Sequence, residues 1–116
     1  MGRLVLEDVA ALLPRQRDMP ARPDGELPYD WEMVLAIRRQ IDDPDPAWLD
    51  RLSRITAPAL VIAGGPQSPI PQDRVAELAG RIPGARSETI PAGHLIHAAD
   101  PEAFTETALK FLRSPR

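Results

Sequence analysis

The chain has 116 residues, with 14 Lys and Arg against 17 Asp and Glu, so its formal net charge is -3 and its length allows at most one small domain. The charge excludes the basic surface that nucleic acid requires, and the absence of cysteine excludes disulfides, thiolate nucleophiles and cysteine metal sites. Because 43% of the residues are hydrophobic and no long apolar run is present, the sequence predicts a globular cytoplasmic protein without a membrane partner.

The first half of the chain predicts one strand, a proline-rich segment and two helices. Residues 4–6 form a short apolar run that predicts a buried strand, with Glu7 and Asp8 at its carboxyl end. Residues 14–30 contain four of the 14 prolines and predict a loop or lid. Two helices are predicted after it, over residues 31–41 and 46–54.

The second half predicts two strands and two helices. Residues 59–63 are continuously apolar, which indicates a strand buried on both faces of a parallel sheet. A helix over 71–82, a polar edge strand over 86–90 and a last helix capped by Asp100 follow. This alternation predicts an α/β protein with a parallel sheet, in which ligands bind beyond the carboxyl ends of the strands.

The strongest candidate for chemistry is His94, which follows Gly93 at the exit of the last predicted strand. His94 and His97 form an H-x-x-H pattern, but no third ligand lies at a suitable spacing, so we predict no metal, and His97 lines the pocket or packs. Ser68 lacks the flanks of a nucleophile elbow and is interpreted as a turn residue. No Gly-rich phosphate loop is present, which favours a site without a cofactor.

Four segments carry a resemblance to the C-terminal part of the α/β-hydrolase fold. Leu4-Val5-Leu6-Glu7-Asp8 resembles the sixth strand of that fold, and residues 57–65 resemble the strand before the usual acid loop. Ile90-Pro91-Ala92-Gly93-His94 resembles the histidine loop, and residues 101–112 resemble the final helix. The resemblance implies a partial domain over 1–116 with about three parallel strands: residues 1–13 as strand six and acid loop, 14–56 as lid and connecting helices, and 57–116 as the last two strands, histidine loop and final helix.

The resemblance also implies roles for single residues. His94 would be the general base, and the family's usual acid position is occupied here by the neutral Gln67. Some members place the acid after the sixth strand, where this chain offers Asp8 and, as a second choice, Glu7, since strand alternation allows one of them to face the site.

The predicted lid offers three large side chains that would form an apolar wall of the substrate pocket. They are Tyr29, Trp31 and Met33. Packing of the lid helix onto the sheet is the alternative reading, and it is favoured for Trp31.

The G-x-S-x-G nucleophile elbow of the family is absent from this chain. The resemblance therefore implies a second half of a hydrolase for an ester, lactone or similar bond of a small molecule, inactive by itself. The alternative is a non-catalytic binding or assembly module that self-associates through the open sheet edge at strand 4–8. A third possibility is a truncated reading frame without an independent role.

Overall fold

The computed structural model describes residues 2–115, and its strands form one parallel three-stranded sheet in the order β1-β2-β3. In the register of the sheet, Leu4 lies opposite Ala59 and Leu60 lies opposite Arg86. The predicted α/β class with about three parallel strands is confirmed. The strands are β1 (Leu4–Glu7), β2 (Ala59–Ala63) and β3 (Arg86–Thr89).

Five helices are formed by the described residues, and four of them match the predicted ones within a few residues. The additional helix, Ile96–Ala99, follows the histidine loop and is too short to have a periodic signal in the sequence. The helices are α1 (Trp31–Asp42), α2 (Ala47–Leu52), α3 (Gln72–Arg81), α4 (Ile96–Ala99) and α5 (Pro101–Arg113).

Local side chains explain where the two longest helices begin. The carboxylate of Asp30 accepts a hydrogen bond of 3.0 Å from the backbone N–H of Glu32 and so caps α1. The carboxylate of Asp100 accepts one of 3.1 Å from the N–H of Ala103, and Pro101 occupies the first turn of α5. Both caps satisfy backbone donors that have no partner within the helix.

The central strand β2 is buried along its whole length, because the sheet neighbours β1 and β3 flank it and helices cover it. Leu60 and Ile62 pack in one cluster with Ile96 of α4 and Phe111 of α5. Side chains of β2 alternate between faces, so Val61 points to the opposite face, and β2 is also in contact with α3. A strand enclosed in this way must be apolar at every position, as its sequence is.

The described residues form two compact units. One is Leu12–Trp48, which lies mostly within the segment 14–56 predicted as lid and connecting helices, and the other contains the sheet. Inside the first unit, Arg15 and Arg38 both bind the carboxylate of Asp42, at 2.5 and 3.1 Å. The hydrogen bond from Arg15 is the main reason that the pKa of Asp42 lies below its ordinary value. Within residues 2–115, none of the helices has the length and apolarity to cross a membrane.

Candidate active site

Asp8 lies at the carboxyl edge of the sheet and is enclosed by four hydrogen-bond donors. It is 2% exposed, and its Oδ1 accepts hydrogen bonds from the backbone N–H of Gly64 at 2.9 Å and from the Gln72 amide at 3.1 Å. Its Oδ2 accepts from the Ser68 hydroxyl at 2.5 Å and lies 2.9 Å from Nδ1 of His94. Both carboxylate oxygens are thus saturated by donors from three later segments of the chain.

These donors keep Asp8 ionised. Burial by itself raises the pKa of Asp8, because the interior disfavours a charge. The hydrogen bonds from Ser68, Gly64, Gln72 and His94 each act in the opposite direction, and together they leave the pKa below its ordinary value. At neutral pH this carboxyl group is therefore a carboxylate, which can only accept hydrogen bonds.

The position of Asp8 follows from the way in which β1 ends. Its backbone N–H still donates to the carbonyl of Ile62 at 2.7 Å, which extends the pairing with β2 by one residue. Its φ is +50°, the left-handed conformation that Asp tolerates better than most residues. The chain therefore leaves the extended conformation at Asp8, where its carboxylate meets the loops that follow β2 and β3.

The loops after β2 and β3 are in direct backbone contact beside this carboxylate. The N–H of Gly93 donates to the carbonyl of Gly64 at 3.0 Å, and Gly93 has a φ of +84°. A Cβ at Gly64 would lie 2.2 Å from the Gly93 carbonyl oxygen, so only glycine fits there. This close approach places His94, the next residue, within hydrogen-bond distance of Asp8.

His94 combines a buried anchor with an accessible ring. Its side chain is 43% exposed, whereas the side chain of Asp8 is fully enclosed. Because the ionised carboxylate only accepts, Nδ1 of His94 carries the proton in their shared hydrogen bond. The second ring nitrogen, Nε2, is then the proton acceptor of the imidazole, which is the arrangement that a general base requires.

Glu7 binds the other histidine. Nδ1 of His97 lies 2.8 Å from each carboxylate oxygen of Glu7, and the backbone N–H of His97 donates to Oε2 at 2.8 Å. Alternate residues of a strand point to opposite faces, yet both acids bind histidines that follow β3. This is possible because Asp8 has left the extended conformation. Consecutive acids therefore hold two histidines that are three positions apart.

Ser68 and Gln72 are site residues that sequence reasoning did not identify. The Ser68 hydroxyl donates to Asp8 and also accepts the N–H of Ile70 at 3.0 Å, so it shapes its turn and holds the acid at once. The amide of Gln72, at the start of α3, donates to Asp8 and accepts from the N–H of Gly65. Gln67, at the usual acid position of the family, is exposed. A serine in a loop and a glutamine at a helix start have no sequence pattern that reveals such roles.

The predicted pocket residues of the lid lie in the unit Leu12–Trp48. Tyr29, which precedes the N-cap Asp30 of α1, and Met33 of α1 are each 44% exposed. Met33 and Ile37, which is also exposed, are four positions apart on one face of α1. Trp31 is half-buried. Their predicted contact with a substrate stays a prediction.

The two histidines do not form a metal centre with these acids. His94 binds Asp8 and His97 binds Glu7 through separate hydrogen bonds. Over residues 2–115, no cluster of three or more His, Asp or Glu side chains is arranged to hold a metal ion.

The chain is similar to several proteins of known description. It is 30% identical over 106 residues to a poly(3-hydroxyalkanoate) depolymerase of Ectopseudomonas oleovorans, a match that covers 90% of this chain and 34% of that protein. No protein-family model matches the chain.

Among solved structures, a hydrolase from Pseudomonas aeruginosa PA01 is similar with a TM-score of 0.60 and 33% identity, over 70% of this chain and 30% of that one. The enol-lactonase from Burkholderia xenovorans LB400 is similar with a TM-score of 0.62 and 31% identity, over 72% of this chain and 31% of that one. The chain thus spans about a third of the length of the relatives that it matches.

Proposed function

This chain is a partial α/β-hydrolase fold, and from that premise we propose that it supplies the general base and the acid of a hydrolytic site. The bond that is hydrolysed is an ester, a lactone or a similar bond of a small molecule. The description of one relative as an enol-lactonase favours this class of bond. The chemistry uses protein side chains and needs no cofactor.

The hydrogen bond between Asp8 and His94 is the observation that carries the proposal. A buried carboxylate that is held ionised fixes the Nδ1-protonated tautomer, so Nε2 is available as the base. The half-exposed ring of His94 leaves room for a nucleophile and a substrate beside it.

In the proposed reaction, His94 accepts and returns the proton that has to be transferred. Nε2 of His94 takes the proton of the attacking hydroxyl group as that oxygen bonds to the carbonyl carbon. The resulting imidazolium is stabilised by the negative charge of Asp8, which stays ionised. The same nitrogen then returns the proton to the leaving oxygen as the carbon–oxygen bond breaks, which leaves the acyl group on the nucleophile. Water attacks this acyl group with the same two proton transfers at Nε2, and the acid and the free hydroxyl group of the nucleophile are released.

The nucleophile is not among these residues. The 116 residues contain no G-x-S-x-G elbow, and we propose that they are inactive by themselves. In this proposal the residues of the predicted lid, Tyr29, Trp31 and Met33, contact the substrate. His97 is also proposed as a substrate-binding residue.

Complementation tests the proposal. We expect the purified chain to hydrolyse 4-nitrophenyl butyrate no faster than buffer. Mixed with the part of the enol-lactonase chain that lies outside the similarity, it should release 4-nitrophenolate, and His94→Gln should lower this rate by about 10³-fold or more. Asp24→Asn, a change in an exposed turn, is the control and should keep the rate.

Two results would contradict the proposal. Hydrolysis by the chain alone that depends on His94 would show that a nucleophile is present in it. If the mixture is folded and His94→Gln leaves its activity unchanged, His94 is not the general base.

A second candidate function is an assembly module, and one observation favours it. In the described part of the chain, β1 is an edge strand. The N–H groups of Leu4 and Asp8 donate toward the β2 side, so the alternating N–H of Val5 points to the open edge. If the chain pairs with a second copy there, sedimentation at micromolar concentration should show a dimer, and Val5→Pro should shift it to monomer. A monomer at all concentrations would exclude this candidate.

A further inference from the structure

The pair formed by Glu7 and His97 lies directly beside the proposed catalytic pair and has no part in the proton transfers described above. We infer that Glu7 is a positioning residue, which holds the histidine loop through His97 and so keeps His94 on Asp8. This inference rests on the proposed function, because the position of His94 matters for hydrolysis only if His94 is the base.

Glu7 makes a two-point attachment to the start of α4. Its Oε2 accepts the backbone N–H of His97, and Nδ1 of the His97 ring lies 2.8 Å from both of its oxygens. The N-cap residue of α4, Leu95, makes no side-chain hydrogen bond to the helix. Glu7 therefore supplies, from another element, an acceptor for a helix donor that Leu95 leaves unbound.

Glu7 binds the chain at His97, three residues after His94, and so fixes the C-terminal end of the histidine loop. On the near side, the N–H of Gly93 is bonded to the carbonyl of Gly64. Between the two attachments, Ile96 is fully buried in the core cluster, while Leu95 is exposed. His94 is thus held in a segment whose two ends are both fixed to the carboxyl edge of the sheet.

The two acids are neighbours in the sequence, and the two histidines that they bind lie three positions apart. Glu7 and Asp8 are adjacent, so the distance between their carboxylates is constrained by a single peptide unit. A histidine loop that bonds to both acids has little freedom to move away from either. The His97 ring is further limited by an edge-on contact with Phe104, whose ring centroid lies 6.0 Å away.

The strength of the pair itself is modest. The Glu7 side chain is 23% exposed and that of His97 is 56% exposed, and partly exposed pairs contribute little to global stability. The role that we infer is therefore geometric, and its signature is a change at His94 and Asp8 in a chain that remains folded.

Nuclear magnetic resonance of the isotope-labelled 116-residue chain tests the inference. In Glu7→Ala we expect the Nδ1 proton of His94 and the His97 amide proton to exchange with solvent at least about fivefold faster than in the wild type. The pKa of the Asp8 carboxyl, followed by carbon-13 shifts, should rise, because the hydrogen bond from His94 contributes to lowering it. Glu106→Ala removes the same charge from an exposed position of α5 and should change none of these quantities.

A second variant covers the case in which Glu7→Ala fails to fold. His97→Gln removes the ring and keeps the backbone bond to Glu7, so the same changes should be smaller in it. The inference is overturned if the backbone amide at position 97 exchanges faster in either folded variant while the His94 proton and the Asp8 pKa stay as in the wild type. These readouts need no substrate, so a failed complementation experiment and a failed positioning role give different results.

Discussion

Asp8 and His94 are 86 positions apart in the sequence, and a hydrogen bond of 2.9 Å joins Oδ2 of the acid to Nδ1 of the imidazole. The acid is enclosed and the imidazole is accessible. A pair with this asymmetry is suited to accept a proton from a group outside the protein core, since one member stays charged and fixed while the other faces solvent.

Replacing Asp8 by asparagine should destabilise the fold and reverse the tautomer of His94. The side-chain NH₂ group of Asn is a donor, and it would face groups that all donate to the carboxylate in the wild type. Buried donors that lose their acceptor should lower the free energy of unfolding by about 1–3 kcal/mol. Urea denaturation measures this change. Asp24→Asn is the matched control, because Asn suits an exposed turn equally well, and an equal loss in both variants would contradict the prediction.

Stability should fall as acid protonates Asp8. Its pKa in the folded chain lies below the ordinary value of 3.8, so below that value the unfolded state binds the proton more readily. The stabilisation by Asp8 is therefore complete at neutral pH and is lost as the pH falls through about 4 toward the lowered folded pKa.

Comparison of variants isolates this acid effect. The pKa of Asp42 is also lowered, chiefly by the hydrogen bond from Arg15, so the contribution of Asp42 to stability changes with pH in the same direction. The difference in urea midpoint between the wild type and Asp8→Asn should therefore be smaller at about pH 3 than at about pH 6. The same decrease is expected when both chains also carry Asp42→Asn. A constant difference at both pH values would contradict the lowered pKa of Asp8.

Ser68→Ala should raise the pKa of Asp8 without abolishing the fold. The hydroxyl is the strongest of the lowering donors, and its loss leaves Oδ2 with His94 alone among the donors described. The loss of this hydrogen bond should reduce the free energy of unfolding by about 1–2 kcal/mol. Carbon-13 titration of the Asp8 carboxyl measures the pKa, and Ser53→Ala, at an exposed serine, should leave it unchanged.

Gly64→Ala should disturb the contact between the two loops, whereas Gly80→Ala should not. The added methyl group at Gly64 would collide with the Gly93 backbone, so we expect a loss of about 3 kcal/mol or more and a displaced His94. At Gly80, in α3, a Cβ meets no atom within 4 Å, and alanine should stabilise the helix by about 0.5–1 kcal/mol. Thermal unfolding compares the two variants, and a neutral Gly64→Ala would contradict the close approach.

The sequence by itself determined the three strands, four of the five helices of the described residues and the sheet edge at which the candidate site lies. The continuous apolar run of β2 and the cap and proline at the start of α5 are local signals, and the structure has both elements where those signals predict them. The candidate acids Glu7 and Asp8 and the candidate base His94 were also visible, because each lies where a predicted strand ends. Such signals act between residues that are close in the chain.

Only the tertiary structure decided which acid holds which histidine. The left-handed backbone at Asp8 turns that residue out of the strand, so that Asp8 reaches His94 and Glu7 reaches His97. Ser68 and Gln72 join Asp8 across 60 and 64 positions because β1 and β2 are paired in parallel and end at the same edge of the sheet. His94 joins them because the loops after β2 and β3 meet at the backbones of Gly64 and Gly93. Hydrogen bonds of this kind depend on how distant backbones approach each other, and no periodicity or spacing within the chain records that approach.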